Sequence, residues 1–322
     1  MAPRPFPINA VMTAIAIGYR NETDMLIADQ VLPRIPVMAE QYKWTEYPLG
    51  EMFTVPNTRV GRRGRVERVE FSGEERAGRT QDYGLEDGIP ISDINAAADM
   101  RARNLGTFDP ENRAAEGLTN LILLDREVRV AAKVQDPNNY AASRRLVLSG
   151  TDQFSDPDSK IIDPLKGAFQ ATLIRRPNTM VMSRDSWTAI SSHPELVNAI
   201  KGNLTSKGII SPEDFVRLFA GEGLRRLLIG EGFVNTARPG QQLALSRVWG
   251  KSIELLFIDP NVRPEQGGLT WGFTAQYGTR IAGNWEDKNV GLEGGNVVRV
   301  GEKVEEQVVA KDVGFIIQNA VA

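Results

Sequence analysis

The chain has 322 residues, 41% of them hydrophobic and 25% charged, which is enough for a packed core and for two domains. Its 38 lysines and arginines nearly balance 41 aspartates and glutamates, and the net charge of -3 argues against a dedicated nucleic-acid-binding protein. With no cysteine and one histidine, His193, the sequence excludes disulfides, thiolate metal sites, cysteine nucleophiles and two-histidine zinc motifs.

Prolines divide residues 1–40 into short apolar pieces, which predicts an N-terminal arm rather than a folded domain. The apolar run at 8–17 has ten residues, too few to cross a bilayer. A cleaved signal peptide would carry more positive charge and a clear small-residue cleavage site. The sequence therefore predicts a soluble chain with no membrane partner.

Residues 41–88 are predicted to form a long, two-stranded extended loop, with strands near 41–44, 51–55, 66–71 and 79–83. Its middle part, 59–79, contains seven arginines, four glutamates, four glycines and no lysine. This segment is too polar for a core, so we expect a hairpin held away from the globule. A solvated loop is one interpretation, and a phosphate-binding loop is another that the interleaved glutamates weaken.

A subunit contact is the third interpretation of this hairpin. Guanidinium groups form bidentate pairs with carboxylates at interfaces, and mixed charges within one hairpin suit contacts between identical copies. The candidate contact residues are Arg59, Arg62, Arg63, Arg65, Arg68, Glu70, Glu74, Glu75, Arg76 and Arg79.

The strongest single prediction is a helix over 110–135, roughly 39 Å long. Asp109 is a suitable N-cap, Pro110 fits the first helical position, and Pro137 prevents continuation. The apolar spacing predicts a buried face made by Ala114, Gly117, Leu121, Leu124, Val128 and Ala131, widened by Leu118 and Ile122. The charged residues are expected mostly on the other face: Glu111, Arg113, Glu116, Arg126, Arg129 and Lys133.

The flanking segments predict a shorter helix at 92–103, a strand at 144–148 and then a compact α/β unit over 165–260. Helices in that unit begin at a cap followed by proline, at Asp163, His193 and Ser211. Strands are expected at 179–182, 227–234 and 253–258. After residue 260 the chain is predicted to be almost entirely strands, at 269–277, 297–300, 303–310 and 313–318.

No complete catalytic or ligand-binding motif is present, so no catalytic, cofactor-binding or metal-binding residue is predicted. Gly250-Lys251-Ser252 resembles the end of a phosphate loop but lacks its first glycine, and His193 fits a helix start. Four aspartates lack the spacing of a calcium loop, namely Asp152, Asp156, Asp158 and Asp163. An α/β enzyme is therefore the least favoured function class.

The order of these parts resembles the major capsid protein of tailed bacteriophages, the Hong Kong 97 fold. Three phrases resemble it too: LSGTDQFSDP at 148–157, RRPNTMVMSRDSWTAISSHPELVNAIK at 175–201 and DVGFIIQNAV at 312–321. The resemblance implies an α+β fold. It comprises an N-terminal arm (1–40), an extended loop (41–88), a peripheral domain (89–164 with spine helix 110–135, plus return strands 261–322) and an axial domain (165–260).

The resemblance also implies hexamers and pentamers that form an icosahedral shell around double-stranded DNA, assembled in the bacterial host cytoplasm. Implied partners are a scaffolding protein, a portal and a decoration protein, with weak non-specific DNA contact and no cofactor. The extended loop has no lysine after Lys43, so covalent crosslinking through it is not expected. An encapsulin-like nanocompartment shell, which shares the fold, is the alternative.

Overall fold

The computed structural model describes residues 25–46, 53–70, 72–104, 108–202, 207–262 and 268–322. The chain is a mixed α+β protein built on one long helix and two five-stranded sheets. The helices in these ranges are α1 (Ala28–Val31), α2 (Ile91–Ala102), α3 (Pro110–Val134), α4 (Ile162–Ala171), α5 (Arg184–Ser191), α6 (Pro194–Lys201) and α7 (Pro212–Leu218). None of them is both long and apolar enough to cross a membrane.

The strands fall into two sheets and two separate hairpins. They are β1 (Arg34–Val37), β2 (Gln41–Glu46), β3 (Glu74–Arg79), β4 (Gln81–Pro90), β5 (Arg145–Val147), β6 (Thr179–Ser183), β7 (Arg226–Gly230), β8 (Phe233–Asn235), β9 (Leu245–Arg247), β10 (Ile253–Leu256), β11 (Gly272–Tyr277), β12 (Ile281–Asp287), β13 (Gly295–Val308) and β14 (Gly314–Gln318). The first sheet has the order β1-β11-β13-β12, with β4 also paired to β13. The second has the order β5-β14-β10-β6-β7, and β2–β3 and β8–β9 are the hairpins.

Helix α3 confirms the predicted spine helix, including both of its ends. The Asp109 carboxylate accepts hydrogen bonds from the backbone N–H groups of Glu111 (3.1 Å) and Asn112 (3.3 Å), as an N-cap should. Pro110 occupies the first turn, and the helix stops at Val134, three residues before Pro137.

The predicted buried face of α3 was partly wrong. Gly117 is exposed and Leu121 is 53% exposed, whereas Arg126 and Glu127 are fully buried. The N-terminal half packs on the first sheet through Ala115, Leu118 and Ile122, while the C-terminal half packs with α1 and the second sheet. The buried residues still form one stripe at three- and four-residue spacing, but it is shifted from the predicted one and includes the two charged residues.

Strand β13 is the centre of the first sheet. It pairs with all of β4 on one side, over 81–90, and with β12 and β11 in succession on the other. The two return strands predicted at 297–300 and 303–310 are one continuous strand, and β12 was not predicted. The strands predicted at 51–55 and 66–71 are absent from 53–55 and 66–70, where the chain pairs with no strand among the described residues; residues 51, 52 and 71 lie outside the described ranges.

The second sheet and helices α4–α7 enclose a core of aromatic and aliphatic side chains. The predicted helix starts at His193 and Ser211 are confirmed: His193 Nδ1 accepts the Glu195 N–H and Ser211 Oγ the Asp214 N–H. Asp163, in contrast, is not a cap. Helix α4 begins at Ile162, and the Glu195 carboxylate accepts the N–H groups of Ile161 (2.5 Å) and Ile162 (3.2 Å).

Candidate subunit interface

The segment 53–70, called here the arginine loop, is exposed at every residue. It carries five arginines against two glutamates, a net charge of +3. None of these five guanidinium groups pairs with a carboxylate in the parts of the chain that the structure describes. The apolar side chains beside them are also exposed, among them Val55, Val66 and Val69. The loop therefore buries almost nothing against its own subunit, and its side chains are available to another molecule.

The structure divides the ten candidate contact residues into two groups. Six lie on the arginine loop: Arg59, Arg62, Arg63, Arg65, Arg68 and Glu70. The others, Glu74, Glu75, Arg76 and Arg79, lie on β3. There Arg76 pairs with Glu46 (3.0 Å) and Glu74 (2.8 Å), and Glu75 pairs with Lys43. These exposed pairs add little stability, but they keep the charges of Glu74, Glu75 and Arg76 paired within the hairpin.

The root of the arginine loop, unlike its tip, is fixed to the first sheet. Tyr42 on β2 stacks on Trp44, with 5.8 Å between ring centroids, and its hydroxyl donates to Glu305 on β13 at 2.9 Å. Burial and the neighbouring Glu305 charge raise the pKa of Tyr42 far above its usual value, so the hydroxyl remains a donor. The Arg79 N–H donates to the same Glu305 carboxylate at 2.8 Å. The hairpin therefore leaves the globule in a defined direction.

Gly78 is required at this root because its Cα lies against the Tyr42 ring. A methyl group there would sit 2.5 Å from the Tyr42 hydroxyl, so Gly78→Ala must displace the ring and break its bond to Glu305. We expect a loss of about 1–3 kcal/mol in the free energy of unfolding, measured by denaturant titration of the unassembled subunit. Gly61→Ala is the control, since Gly61 has no atom within 4 Å of the added carbon. Equal stability of both variants would contradict this role.

A groove of about 740 Å³ lies between β4 and the N-terminal half of α3. Its lining includes the acidic residues Glu86, Asp87 and Asp93, the basic residue Arg113 and the apolar residues Phe108 and Leu121. Glu86 is paired with Arg299, which leaves Asp87 and Asp93 as the carboxylates open to a partner. Phe108 and Leu121 are both about half exposed. The groove thus combines negative charge with open apolar surface, the reverse in charge of the arginine loop.

A buried charge cluster joins α3 to the segment 25–37, called here the strap. Arg126 is 1% exposed and pairs with Asp29; its Nη2 donates to the Leu32 carbonyl (3.1 Å) and to Thr274 Oγ1 (2.9 Å). Burial opposes ionisation of Asp29, but Arg126 and Arg34 outweigh it and hold the pKa of Asp29 below its usual value. The cluster ties the strap to both the helix and the first sheet.

Two further carboxylates extend this cluster. Arg34 and Arg280 both reach Glu302, at 2.8 and 3.1 Å, and despite burial they hold the pKa of Glu302 below its usual value. Glu127 accepts the N–H groups of Ile27 (3.0 Å) and Ala28 (2.7 Å) and the indole N–H of Trp249 (2.6 Å). Burial nevertheless raises the pKa of Glu127. Two adjacent residues of the spine helix, Arg126 and Glu127, therefore hold the strap, and Glu127 also binds Trp249 in the chain that leads into β10.

The sequence pattern places Arg126 among the charged residues expected mostly on the solvent-facing side of the helix, and it does not single out Glu127. A signal was present, because Arg126 is four residues from Ile122 and four from Val130, in line with the buried face. Within the described ranges, no group of three histidine, aspartate or glutamate side chains could hold a metal ion. The arrangement offers charged and apolar contact surfaces and a rigid frame that presents them.

The sequence and the fold are both similar to those of phage proteins. No family model matches the sequence. The chain is 42% identical over 322 residues to the major capsid protein of Pseudomonas phage JBD67, covering 100% of both chains. A phage-related protein from Bordetella bronchiseptica RB50 shares the fold with a TM-score of 0.75 at 20% identity, over 98% of this chain and 99% of that one. The capsid structure of cyanophage P-SCSP1u gives a TM-score of 0.59 at 8% identity, over 93% and 90% of the two chains.

The two structural likenesses show the fold alone, whereas the phage JBD67 relative spans the whole chain at an identity that establishes kinship. A structural role agrees with a sequence that has no complete catalytic motif and with the exposed arginine loop. The chain therefore belongs to the major capsid protein family of tailed bacteriophages, whose members are structural proteins of the virion and not enzymes.

Proposed function

We propose that copies of this chain form hexamers and pentamers that close into an icosahedral head shell around double-stranded DNA, with the Hong Kong 97 fold. The observation that carries this proposal is the arginine loop, which is exposed at every residue but rooted firmly on the first sheet. Ordering such a loop costs conformational entropy that its own subunit does not repay, so it gains stability only on a neighbour.

The element order supports the proposed division of the chain. Residues 41–88 contain the β2–β3 hairpin and lead through β4 into the first sheet, as an extended loop should. The segments 89–164 and 261–322 supply α3 and most of the first sheet, which suits a peripheral domain. Residues 165–260 supply β6, β7 and β10 with helices packed on them, which suits an axial domain. The arm is assigned to 1–40, of which residues 1–24 lie outside the described ranges.

The groove beside α3 supports a contact between identical copies. The arginine loop has net positive charge and exposed valines, while the groove has three carboxylates against one arginine, Arg113, and exposed Phe108 and Leu121. Asp87 and Asp93 are the carboxylates proposed to receive the loop, since Glu86 already pairs with Arg299. Complementary charge fixes partner and register, and apolar burial supplies affinity. We therefore assign the arginine loop of one copy to the groove of its neighbour.

A charge swap tests this contact. Reversing three loop arginines (Arg62→Glu, Arg63→Glu and Arg65→Glu) should prevent shell closure. It should leave the subunit folded, because none of the three guanidinium groups pairs with a carboxylate among the described residues. Circular dichroism and negative-stain electron microscopy measure the two properties. The matched control, with lysine at the same three positions, keeps the charge and should assemble better than the reversed variant.

A compensating change sharpens the test. Asp87→Lys with Asp93→Lys should impair assembly alone and restore it when combined with the three reversed arginines. Closed shells at normal yield from the reversed loop alone would overturn the assignment of the loop to the groove. A wild-type chain that stays monomeric with its scaffold present would overturn the shell itself.

The remaining partners follow from the resemblance and from the charge. A separate scaffolding protein, a portal and a decoration protein are proposed, with assembly in the bacterial host cytoplasm. A net charge of -3 suits a wall that holds packaged DNA by weak non-specific contact, because a strongly basic lining would retain the genome during ejection. Purified particles should therefore contain DNA and not a protein cargo, which separates a phage head from a nanocompartment.

A further inference from the structure

The turn between α4 and β6, residues 172–178, holds a strained residue. Ile174 has a φ of 65°, in the left-handed region that β-branched side chains rarely adopt. The Arg175 N–H donates to the Leu173 carbonyl at 2.6 Å, closing a three-residue turn of the rarer hand around Ile174. Glycine or asparagine would take this conformation at much lower cost.

Bonds on both sides impose this conformation. The Leu173 N–H donates to the Asp312 carbonyl (3.1 Å) and Thr172 Oγ1 to the Phe169 carbonyl (3.1 Å). On the far side, Arg176 pairs with Glu222 at 2.8 Å. The turn is therefore a preformed projection with a fixed direction.

Subunit packing gives no reason for isoleucine here. Leu173 is 42% exposed and Ile174 is 52% exposed, and neither belongs to the core formed by α4 and the second sheet. A strained residue whose apolar side chain faces solvent lowers subunit stability without an evident gain within the subunit. Such outliers cluster where a protein makes contact with something else.

The surroundings of the turn carry more positive than negative charge, since four basic residues (Arg175, Arg176, Arg225 and Lys311) face two acidic ones (Glu222 and Asp312). Arg175 follows Ile174 directly, Arg225 N–H donates to the Asn178 carbonyl at the end of the turn, and Lys311 precedes Asp312. All three side chains are exposed, and none pairs with a carboxylate in the described parts of the chain. The projection is thus an apolar pair within a basic patch.

An acidic loop lies at the other end of the same sheet. Strand β5 is parallel to β14, and β14 and β6 are both antiparallel to β10, so β5 and β6 run in the same direction. The turn precedes β6, whereas the loop 149–160 follows β5. That loop carries three aspartates and one lysine, Lys160, a net charge of -2, and Asp152 and Asp158 are exposed. Opposite charges therefore occupy opposite ends of one sheet.

We propose that the Leu173-Ile174 turn is a contact site for a second copy of this chain, and that it receives the acidic loop 149–160 of that copy. The inference rests on the proposed function, because only an assembling protein presents a second copy at sufficient concentration. A contact between different surfaces of identical subunits repeats from copy to copy and closes into a ring when the rotation allows. Apolar burial under Ile174 and charge pairing around it would supply the affinity.

Ile174→Asn separates the effect of Ile174 on subunit stability from its proposed contact with a second copy. The variant should melt about 2–4 °C higher as an unassembled subunit, because the strain is relieved, but should give roughly tenfold fewer closed particles at equal protein concentration. Scanning calorimetry and quantitative electron microscopy measure these properties. Ile174→Val keeps the branched apolar side chain and should behave as the wild type.

Charge reversal provides an independent test. Arg175→Glu should reduce particle yield, and Asp152→Lys with Asp158→Lys should restore it in the combined variant. Normal assembly by Ile174→Asn, or a lower melting temperature of its subunit, would overturn the inference while the shell function stood. Failure of the wild type to assemble would instead overturn the proposed function.

Discussion

Replacing Arg126 with methionine is expected to lower the free energy of unfolding by about 3–5 kcal/mol. The guanidinium is 1% exposed and serves Asp29, the Leu32 carbonyl and Thr274 at once. Methionine keeps much of the volume but leaves the Leu32 carbonyl without this donor. Thermal denaturation of the unassembled subunit should show a fall of about 4–7 °C, and hydrogen exchange should rise in the strap.

Arg113→Met provides the matched control, because Arg113 lies on the same helix but is exposed. Its effect should stay within about 0.5 kcal/mol. If the two variants proved equally stable, the buried cluster would not be what holds the strap to the spine helix.

Glu254→Gln is expected to stabilise the subunit increasingly as the pH rises. Glu254 is fully buried in β10, and burial raises the pKa of its carboxyl to about 8 from an ordinary value of 4.5. Ser252 Oγ donates to its Oε1 at 2.5 Å, while Oε2 contacts no donor among the described residues. The folded protein therefore holds this group protonated and neutral at pH 7.

The direction of the pH dependence follows from proton binding. Between pH 4.5 and 8 the folded carboxyl retains a proton that the unfolded one has released, so the stabilisation present below pH 4.5 is lost progressively as the pH approaches 8. The accumulated loss is on the order of 4 kcal/mol. Denaturant titrations at pH 5, 6.5 and 8 should show the wild type falling well below Glu254→Gln. Glu116→Gln, at an exposed position, is the control, and parallel pH profiles for Glu254→Gln and the wild type would contradict the prediction.

Local signals made the helices predictable from sequence. The spine helix was placed within a residue because Asp109, Pro110 and Pro137 act on the backbone next to them, whatever lies around them. The same holds for the helix starts at His193 and Ser211. The exposed arginine loop was predictable for a related reason, since a segment with so few large apolar residues has no core to join.

Partners distant in the chain decided what sequence reasoning missed. The valines of the arginine loop favour strands, but β structure needs a ladder, and 53–70 has none in the described chain. Arg126 lies between Asp125 and Glu127, and only its partner Asp29, 97 residues away, shows why it is tolerated in a core. Glu254 is buried because β10 lies between β14 and β6, two strands that are distant from it in the sequence. The groove could not be foreseen either, because β4 and α3 form it jointly.

The strap has a consequence for the timing of synthesis. Its strand β1 pairs with β11, and Arg34 bonds to Glu302, which is 268 residues later in the chain. The strap leaves the ribosome early and must therefore wait for strands near the end of the chain before its contacts can form. Contacts of such long range form late and slow folding. A nascent or truncated subunit would thus lack its finished frame, and incomplete chains would be kept out of growing shells.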